Sequence, residues 1–575
     1  VTRRVLLLHP PATKAGEPPP GTAVLLAHLR RHGVEAHAVD ANLGAYLHLL
    51  SEGRPLAAAV ALPDAAAPAP GGAATPPPGH GGAPVDGAGA APRRRAPLAD
   101  LLRAASKSGK ALATLRSERA LESQPRYTAA VRSLNLALSA HGVAAGERLT
   151  LGDYNHGFLD PYVPDHLDRL ARGEEETLFA PYFREVVLPE AAAFRPDVVG
   201  FTVTYRNQLL PAFELAGLVR RALPGATLVA GGGMVTSLRP DLAPAGTAPY
   251  PFDRVVFGPG EAALLALARG EGDDGPALAS DPSAIEFEPD YSFRPPADYL
   301  SPVPVLPVAS SRGCYWHRCL FCPEAVTPTH PYREYPPAEF PDLLLSLAER
   351  YGARHFHVAD NAVPPRTLKA LAERAEDLAS AGIRWHGFAR FEPLLADPAL
   401  CARLAKGGCA SLHLGLESGS PAVLEKLRKG TDLAVAERIL HALRGAGAWP
   451  YVYVLLGTPG ETEADGERTL AFLERNADAI GWLNLSIFNL PRESVFASDP
   501  EAHGIRLRPD RGDELRLYKA FDPESGWGRD GARRFLQKRI LGSPALRAIA
   551  RRTPPLFTSN HAFLFPPGPG REGEP

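Results

Sequence analysis

Apolar positions along this chain fall into short unbroken runs separated by stretches of helical spacing. Val5–Leu8 is such a run, ending at His9-Pro10-Pro11 as a strand buried on both faces does. Thr22–His32 carries Val24, Leu25, Ala27 and Leu29 at helical spacing, with Gly33 as its stop. Val34–Val39 reads as a second strand, closing on Asp40-Ala41-Asn42, and the spacing is helical again from Leu98 to about Val143. The alternation resumes with strands at Asp197–Val203, Ala226–Ala230 and Arg254–Phe257 and helices at Leu209–Ala222 and Ala262–Ala268. Such alternation predicts an α/β, doubly wound parallel sheet with its ligand crevice at the carboxyl ends of the strands.

A second series begins at Pro304. Its strands end at residues 309–314, at Asp360-Asn361 (after His355–Val358), at Arg390 (after Arg384–Phe388), at Glu417-Ser418 (after Ser411–Leu416), at Gly457-Thr458-Pro459-Gly460 (after Tyr451–Leu456) and at Asn489 (after Trp482–Ile487). Helices are expected at Ala338–Arg350, Pro365–Ser380, Pro398–Gly407, Pro421–Lys429 and Val435–Gly445. Six such units make a parallel barrel or partial barrel, and a polar residue at each strand exit is what a site on that face requires. Asp513–Phe521, Gly531–Leu541 and Pro544–Arg552 read as helices of a C-terminal extension, and the aromatic segment with His561 that follows either caps the substrate opening or simply docks with a terminal helix pair. The expected domains are therefore 1–280, 300–490 and 491–575.

Composition changes this picture in one place. Residues 52 to about 96 are mostly Ala, Pro and Gly, too poor in burial to offset their ordering entropy, and read as a disordered insertion in the first domain. Elsewhere 45% apolar residues suffice for packed cores, and a net charge of −2 gives no reason to expect nucleic acid or an anionic membrane as partner. No apolar run reaches membrane-spanning length and no leader pattern opens the chain, so a cytoplasmic protein is expected.

Candidate chemistry concentrates at Ser311–Pro323, where Cys314, Cys319 and Cys322, three of the five cysteines, are spaced C-x4-C-x2-C. Three thiolates on one loop can each hold an iron of a four-iron four-sulfur cluster and leave the fourth iron open. A structural zinc would recruit His317 as a fourth ligand, a disulfide would leave one cysteine over, and a buried trio would not explain the flanking Arg312-Gly313 or the interposed aromatics. Cys401 and Cys409 read as packing residues. Asp153 and His156 read as turn and cap residues.

Arg-Gly-Cys-Tyr-Trp-x-x-Cys-x-Phe-Cys resembles the radical SAM enzymes, in a variant spacing found among members with an N-terminal cobalamin-binding domain. The commonest family spacing is one residue shorter in the first gap. Pro10-Pro11, Gly21-Thr22, Val39 to Asn42, Ala230 to Gly233 and Gly258-Pro259-Gly260-Glu261 resemble that cobalamin domain, although the Asp-x-His-x-x-Gly loop with a lower axial histidine is missing and Asn42 stands in a comparable place. The resemblance implies a 4Fe-4S cluster on Cys314, Cys319 and Cys322, shielded by Phe321, with S-adenosyl-L-methionine on its open iron. It further implies that Asp360 and Asn361 meet the methionine amino group, that Arg390 faces its carboxylate, that Glu417 with Ser418 reaches the ribose, and that Gly457 and Thr458 pass under adenine. For Asp360 a helix-cap role before Pro364 stays open. Gly231, Gly232, Gly233, Gly258, Gly260 and Glu261 are the expected cobalamin contacts.

The implied activity is reductive cleavage of S-adenosylmethionine to a 5′-deoxyadenosyl radical, with cobalamin-dependent methyl transfer to a small molecule or peptide. A flavodoxin- or ferredoxin-type electron donor is implied with it. Two alternatives stay open: a non-methyl radical rearrangement beside an inert first domain, and a non-catalytic iron–sulfur or zinc protein. No extra cysteine set and no basic C-terminal module point to a tRNA-modifying enzyme.

Overall fold

The first strand, β1 (Val5–His9), is buried along its whole length, so it must be covered on both faces and flanked on both edges. In the computed structural model it pairs in parallel with β2 (Ala36–Asp40) on one side and β3 (Val198–Thr202) on the other, Val5 lying opposite both Ala36 and Val198. The strands β4 (Thr227–Gly231), β5 (Arg254–Val256) and β6 (Ala277–Leu278) extend the sheet in the order β2-β1-β3-β4-β5-β6, all parallel. Strand order reverses between β1 and β3, and that switch point opens a crevice at the carboxyl ends. The structure describes residues 3–51, 98–239, 248–271, 275–278, 280–326, 331–509 and 515–568; the insertion expected at 52–96 lies outside them.

The chain divides into two compact units, one formed mainly by residues up to Val303 and the other from Pro304 onward. In the first, Val5, Leu7, Val198, Val229 and Val256 of the sheet pack with Leu26 and Leu29 of helix Pro20–Arg31 and Leu264 of helix Glu261–Arg269. Each such side chain contributes about 1.5–3 kcal/mol on burial, which commits both helices to the sheet. The helical stretch after Leu98 is three helices, Leu98–Ser106, Ser108–Leu115 and Gln124–Ala144. Asp153 sits in the turn of a small hairpin, where it pairs with Arg148.

The second unit is a six-stranded parallel sheet in sequential order: β7 (Val305–Val308), β8 (His355–Val358), β9 (Arg384–Ala389), β10 (Cys409–Glu417), β11 (Trp449–Leu456) and β12 (Trp482–Ile487). This is the partial barrel that the six-unit pattern predicts, with helices Phe340–Tyr351, Pro398–Lys406, Leu433–Gly445 and Glu463–Arg475 between strands. Cys401 and Cys409 are buried in helix and strand, and Cys401 Sγ donates to Leu395 O at 3.1 Å. Among the described residues no helix is long and apolar enough to cross a membrane.

Two expectations are corrected and one left open is decided. The described part of the helix expected at Asp513–Phe521 is extended: Tyr518–Lys519 pairs with Leu490–Pro491, and Phe521–Pro523 with Ile505–Leu507. Leu515 and Leu517 are both buried, and that spacing of two is a strand period. The helix expected over Pro421–Lys429 stops at Lys426. The aromatic tail closes the opposite end of the barrel from the cysteines. Phe563 packs with Val305 and Ala410 at the amino ends of β7 and β10, and Ala562 packs with Trp449, Tyr451 and Trp482.

Candidate functional site

Three loops at the carboxyl ends of the second sheet build the site. Ser310 and Ser311 follow β7, and Asp360, after β8, fixes them: it accepts from Ser310 N at 2.7 Å, Ser310 Oγ at 2.6 Å and Ser311 Oγ at 2.7 Å. Asp360 is therefore no helix cap, and its hydrogen bonds hold the strand that leads into the cysteine loop. Burial pushes its carboxyl up against the pull of those bonds. Asn361 is exposed.

The cysteine loop is laced to the segment after β10. Leu320 N donates to Leu427 O at 3.1 Å, and Trp316 Nε1 to Arg428 O at 3.2 Å. Gly430 is required beside that indole: it has φ +70°, and a Cβ there would lie 2.4 Å from Trp316 Cζ2. Tyr315 OH donates to Glu392 Oε1 at 2.8 Å, and the Arg390 guanidinium sits 4.1 Å from the Trp316 ring centroid. Phe321 packs against the cluster of Leu320, Val423, Leu427, Phe488 and Phe496.

Burial raises the Cys322 thiol to about 12 and raises Cys319 too, where the charges of Lys429 and Arg390 oppose the shift. The three cysteines lie within one another's electrostatic reach, and Cys319 within that of Lys429, Arg390 and Glu417. Among the described residues no three His, Cys, Asp or Glu side chains close on a single ion. The His317 Nδ1 lies 3.3 Å from Cys314 O. Thiols that each take a separate iron of a cluster need not converge on one point, and this donor set of three sulfurs beside paired charges fits such a cluster.

Arg390 and Glu417 are drawn together by a residue that the pattern did not single out. Lys429 Nζ donates to Glu417 Oε1 at 2.7 Å, and Lys429 O accepts from Arg390 Nη2 at 2.6 Å. Arg390 Nε also reaches Glu392 Oε1 at 3.2 Å. Glu417 has φ +63° at a bulge in β10, and Arg428, with φ +50°, breaks the chain out of helix just before Lys429. Left-handed backbone at a non-glycine residue costs of order 1 kcal/mol or more and collects at functional sites.

Other expected contacts have partners inside the fold. Ser418 Oγ lies 3.1 Å from Thr469 Oγ1 and accepts from Ser420 N. Gly457 N and Thr458 N donate to Glu461 Oε2 at 2.6 and 3.0 Å, and burial lifts the Glu461 carboxyl to about 7. Glu461, three residues beyond Thr458, is the residue that shapes this turn.

In the first unit the crevice lies where β1 and β3 part. Gln208 bridges it: Nε2 donates to Pro10 O at 2.7 Å, and Oε1 accepts from Thr204 N and Tyr205 N at 2.7 and 3.0 Å. Asn42 is a loop clamp, accepting from Thr13 N at 2.8 Å. Gly231 pairs with Thr202, and Gly232 has φ +107° with Val203 O 2.5 Å from where a Cβ would stand. Gly233 starts a short helix, and Gly258 N donates to Thr236 Oγ1 at 3.0 Å. Gly260 precedes helix Glu261–Arg269, whose Glu261 is buried and accepts from Glu286 N at 3.3 Å. A glycine-lined crevice at a switch point admits a large planar cofactor close to the backbone, so the residues fit cobalamin.

Comparison with known proteins agrees on both units. Residues 308–473 match the radical SAM superfamily model, and residues 172–268 match the B12 binding domain model. An uncharacterised methyltransferase of Pyrococcus horikoshii is 24% identical over 309 residues, 49% of this chain and 65% of the relative. The bacteriochlorophyllide d C-12(1)-methyltransferase of Chlorobaculum tepidum is 27% identical over 207 residues, 34% of this chain and 43% of the relative. The chain thus spans about two thirds or less of these relatives' lengths. The radical S-adenosylmethionine methyltransferase TsrM from Kitasatospora setae, solved with tryptophan substrate and a SAM analogue, aligns with 95% of this chain and 89% of its own at TM-score 0.53 and 16% identity, a likeness of fold.

Proposed function

We propose that this chain, a radical SAM protein with a B12-binding domain ahead of its barrel, is a cobalamin-dependent methyltransferase acting on a small molecule or peptide in a reducing cytoplasm. When bound, a four-iron cluster with one open corner supplies an electron to S-adenosylmethionine, and cobalamin supplies a methyl carrier. Cys314, Cys319 and Cys322 would hold the cluster, and Phe321 keeps water from their loop. Arg390, whose Nε and Nη2 are engaged by Glu392 and the Lys429 carbonyl, would bring its positive charge to the methionine carboxylate, and Glu417 offers its second oxygen to a hydroxyl. Gly231, Gly232, Gly233 and Gly258 would cradle the corrinoid.

The observation that carries this reading is the pairing of Arg390, Glu417 and Lys429 beside Cys319: buried charge collected at a strand exit, where an anionic and a hydroxylated ligand are to be bound. The one-electron supply is assigned to a flavodoxin- or ferredoxin-type protein. Anaerobic reconstitution with iron and sulfide should give about four irons per chain, reduction with S-adenosylmethionine should release 5′-deoxyadenosine, and preparation with cobalamin should leave a corrinoid spectrum on the protein. Absence of iron overturns the whole reading; iron with cleavage but no corrinoid overturns its cobalamin half.

A further inference from the structure

Lys429 is buried to 11% side-chain exposure beside a Glu417 carboxylate at 12%, with 2.7 Å between Nζ and Oε1. Its position is imposed by the fold: the helix ends at Lys426, Arg428 adopts φ +50°, and the Lys429 carbonyl is clamped by Arg390. The ammonium also stands 5.9 Å from the Phe321 ring centroid, against the residue between Leu320 and Cys322. Gly415 leaves the space for this pair, since a Cβ there would lie 2.6 Å from Glu417 Oε1 and 2.7 Å from Lys429 Nζ.

We propose that Lys429 is a positioning residue of the cluster site. It holds Glu417 in its left-handed conformation and supplies a fixed positive charge that balances this carboxylate next to Cys319, so that the pair sets the reduction potential of the group the cysteines hold. The inference rests on the reading above that this group is a four-iron cluster. In a buried site an unbalanced charge is screened far less than at a surface. Removing either partner therefore exposes the cluster to the other, with opposite sign.

The experiment is a dithionite titration of reconstituted protein followed by electron paramagnetic resonance. Lys429→Gln should shift the midpoint potential downward, Glu417→Gln upward, and the double variant K429Q/E417Q should return most of the way to wild type, while Lys429→Arg stays close to it. A merely structural role gives none of this sign reversal; both single variants would lose iron and move alike. An unshifted potential in Lys429→Gln at full iron content, or single variants shifting in the same direction, overturns the proposal. If Lys429→Gln fails to assemble, the upward shift of Glu417→Gln and the silence of Lys429→Arg still decide it. Wild-type protein without a cluster fails the functional reading instead, so the two failures are distinct.

Discussion

The mouth and the floor of the barrel are built from the same strands yet treat polar groups in opposite ways. On β9, His386 and, four residues on, Arg390 share a face; on β10, His413 lies before the bulge and Glu417 at the strand's exit beyond it. At the mouth charge is kept and paired, Lys429 with Glu417 and Arg390 with Glu392. On the floor burial strips charge away: it lowers the His413 imidazole to about 3 and His355 to about 4, and holds His386 well below its ordinary value. The His357 and His386 rings stack at 4.6 Å, and Phe563 of the tail stacks on His386 at 4.3 Å. A buried ionisable group has two stable solutions, a partner or neutrality. This barrel uses one at each end, so chemistry that needs charge belongs to the mouth.

The largest effect that sharpens this contrast is Cys319→Ala. Loss of one of three thiols should abolish cluster assembly, read as irons per chain, and leave floor stability untouched. The reverse experiment is Phe563→Ala, which opens the seal under the histidines and should cost about 3–5 kcal/mol while a surviving cluster keeps its potential. All five tryptophans lie in the second unit, at 316, 385, 449, 482 and 527, so urea unfolding followed by indole fluorescence reports that unit alone. A loss below about 1 kcal/mol would break the comparison by showing that the tail does not seal the floor.

Much of this architecture was legible in the sequence because it is written in periodicity. All six barrel strands and five of the six strands of the first sheet stand where apolar runs put them, and the cysteine spacing marks the end of the barrel at which the charges gather. The rest was hidden for physical reasons. Lys429 reads as the end of a helix, and only the left-handed Arg428 turns it inward; nothing in residue type announces that. The hydrogen bonds that Ser418, Glu261 and Asn42 make inside the fold, with Thr469, Glu286 and Thr13, span 51, 25 and 29 positions and come from tertiary structure, which no local pattern shows. Which end of the barrel the tail docks on was open because an aromatic segment fits either opening, and hydrophobicity alone does not choose.

Acid tests the floor next. Histidines at 6.5 when unfolded and depressed when folded leave the unfolded chain binding more protons between about pH 3 and 6.5, so they should make stability of the second unit rise with pH through that window, by up to about 1.4 kcal/mol per pH unit for each histidine, against the opposite slope of the raised carboxyl of Glu461 between about 4.5 and 7. The histidine contribution is complete above 6.5 and lost as pH falls. Denaturation midpoints at pH 4.5, 5.5, 6.5 and 7.5, taken in Glu461→Gln as well as wild type, measure the slope, and a flat profile in the variant would mean that the imidazoles are charged and paired after all.

His413→Leu should have the smallest effect and is the most discriminating. Both ring nitrogens of His413 are buried without a hydrogen-bond partner among the described residues, and the ring meets Phe388 edge-on at 4.9 Å. Replacing a buried polar ring that makes no hydrogen bond by an apolar side chain of similar volume removes a desolvation cost along with some packing, so stability at pH 7.5 should stay within about 1 kcal/mol of wild type. The acid slope should fall by the share of one histidine, because the leucine cannot titrate. The two readouts separate the explanations: a neutral passenger predicts an unchanged midpoint with a shallower slope. A loss of about 3 kcal/mol at pH 7.5 would instead mean that His413 makes an interaction as strong as those at the mouth, and the division of the barrel into a charged end and a neutral end would no longer hold.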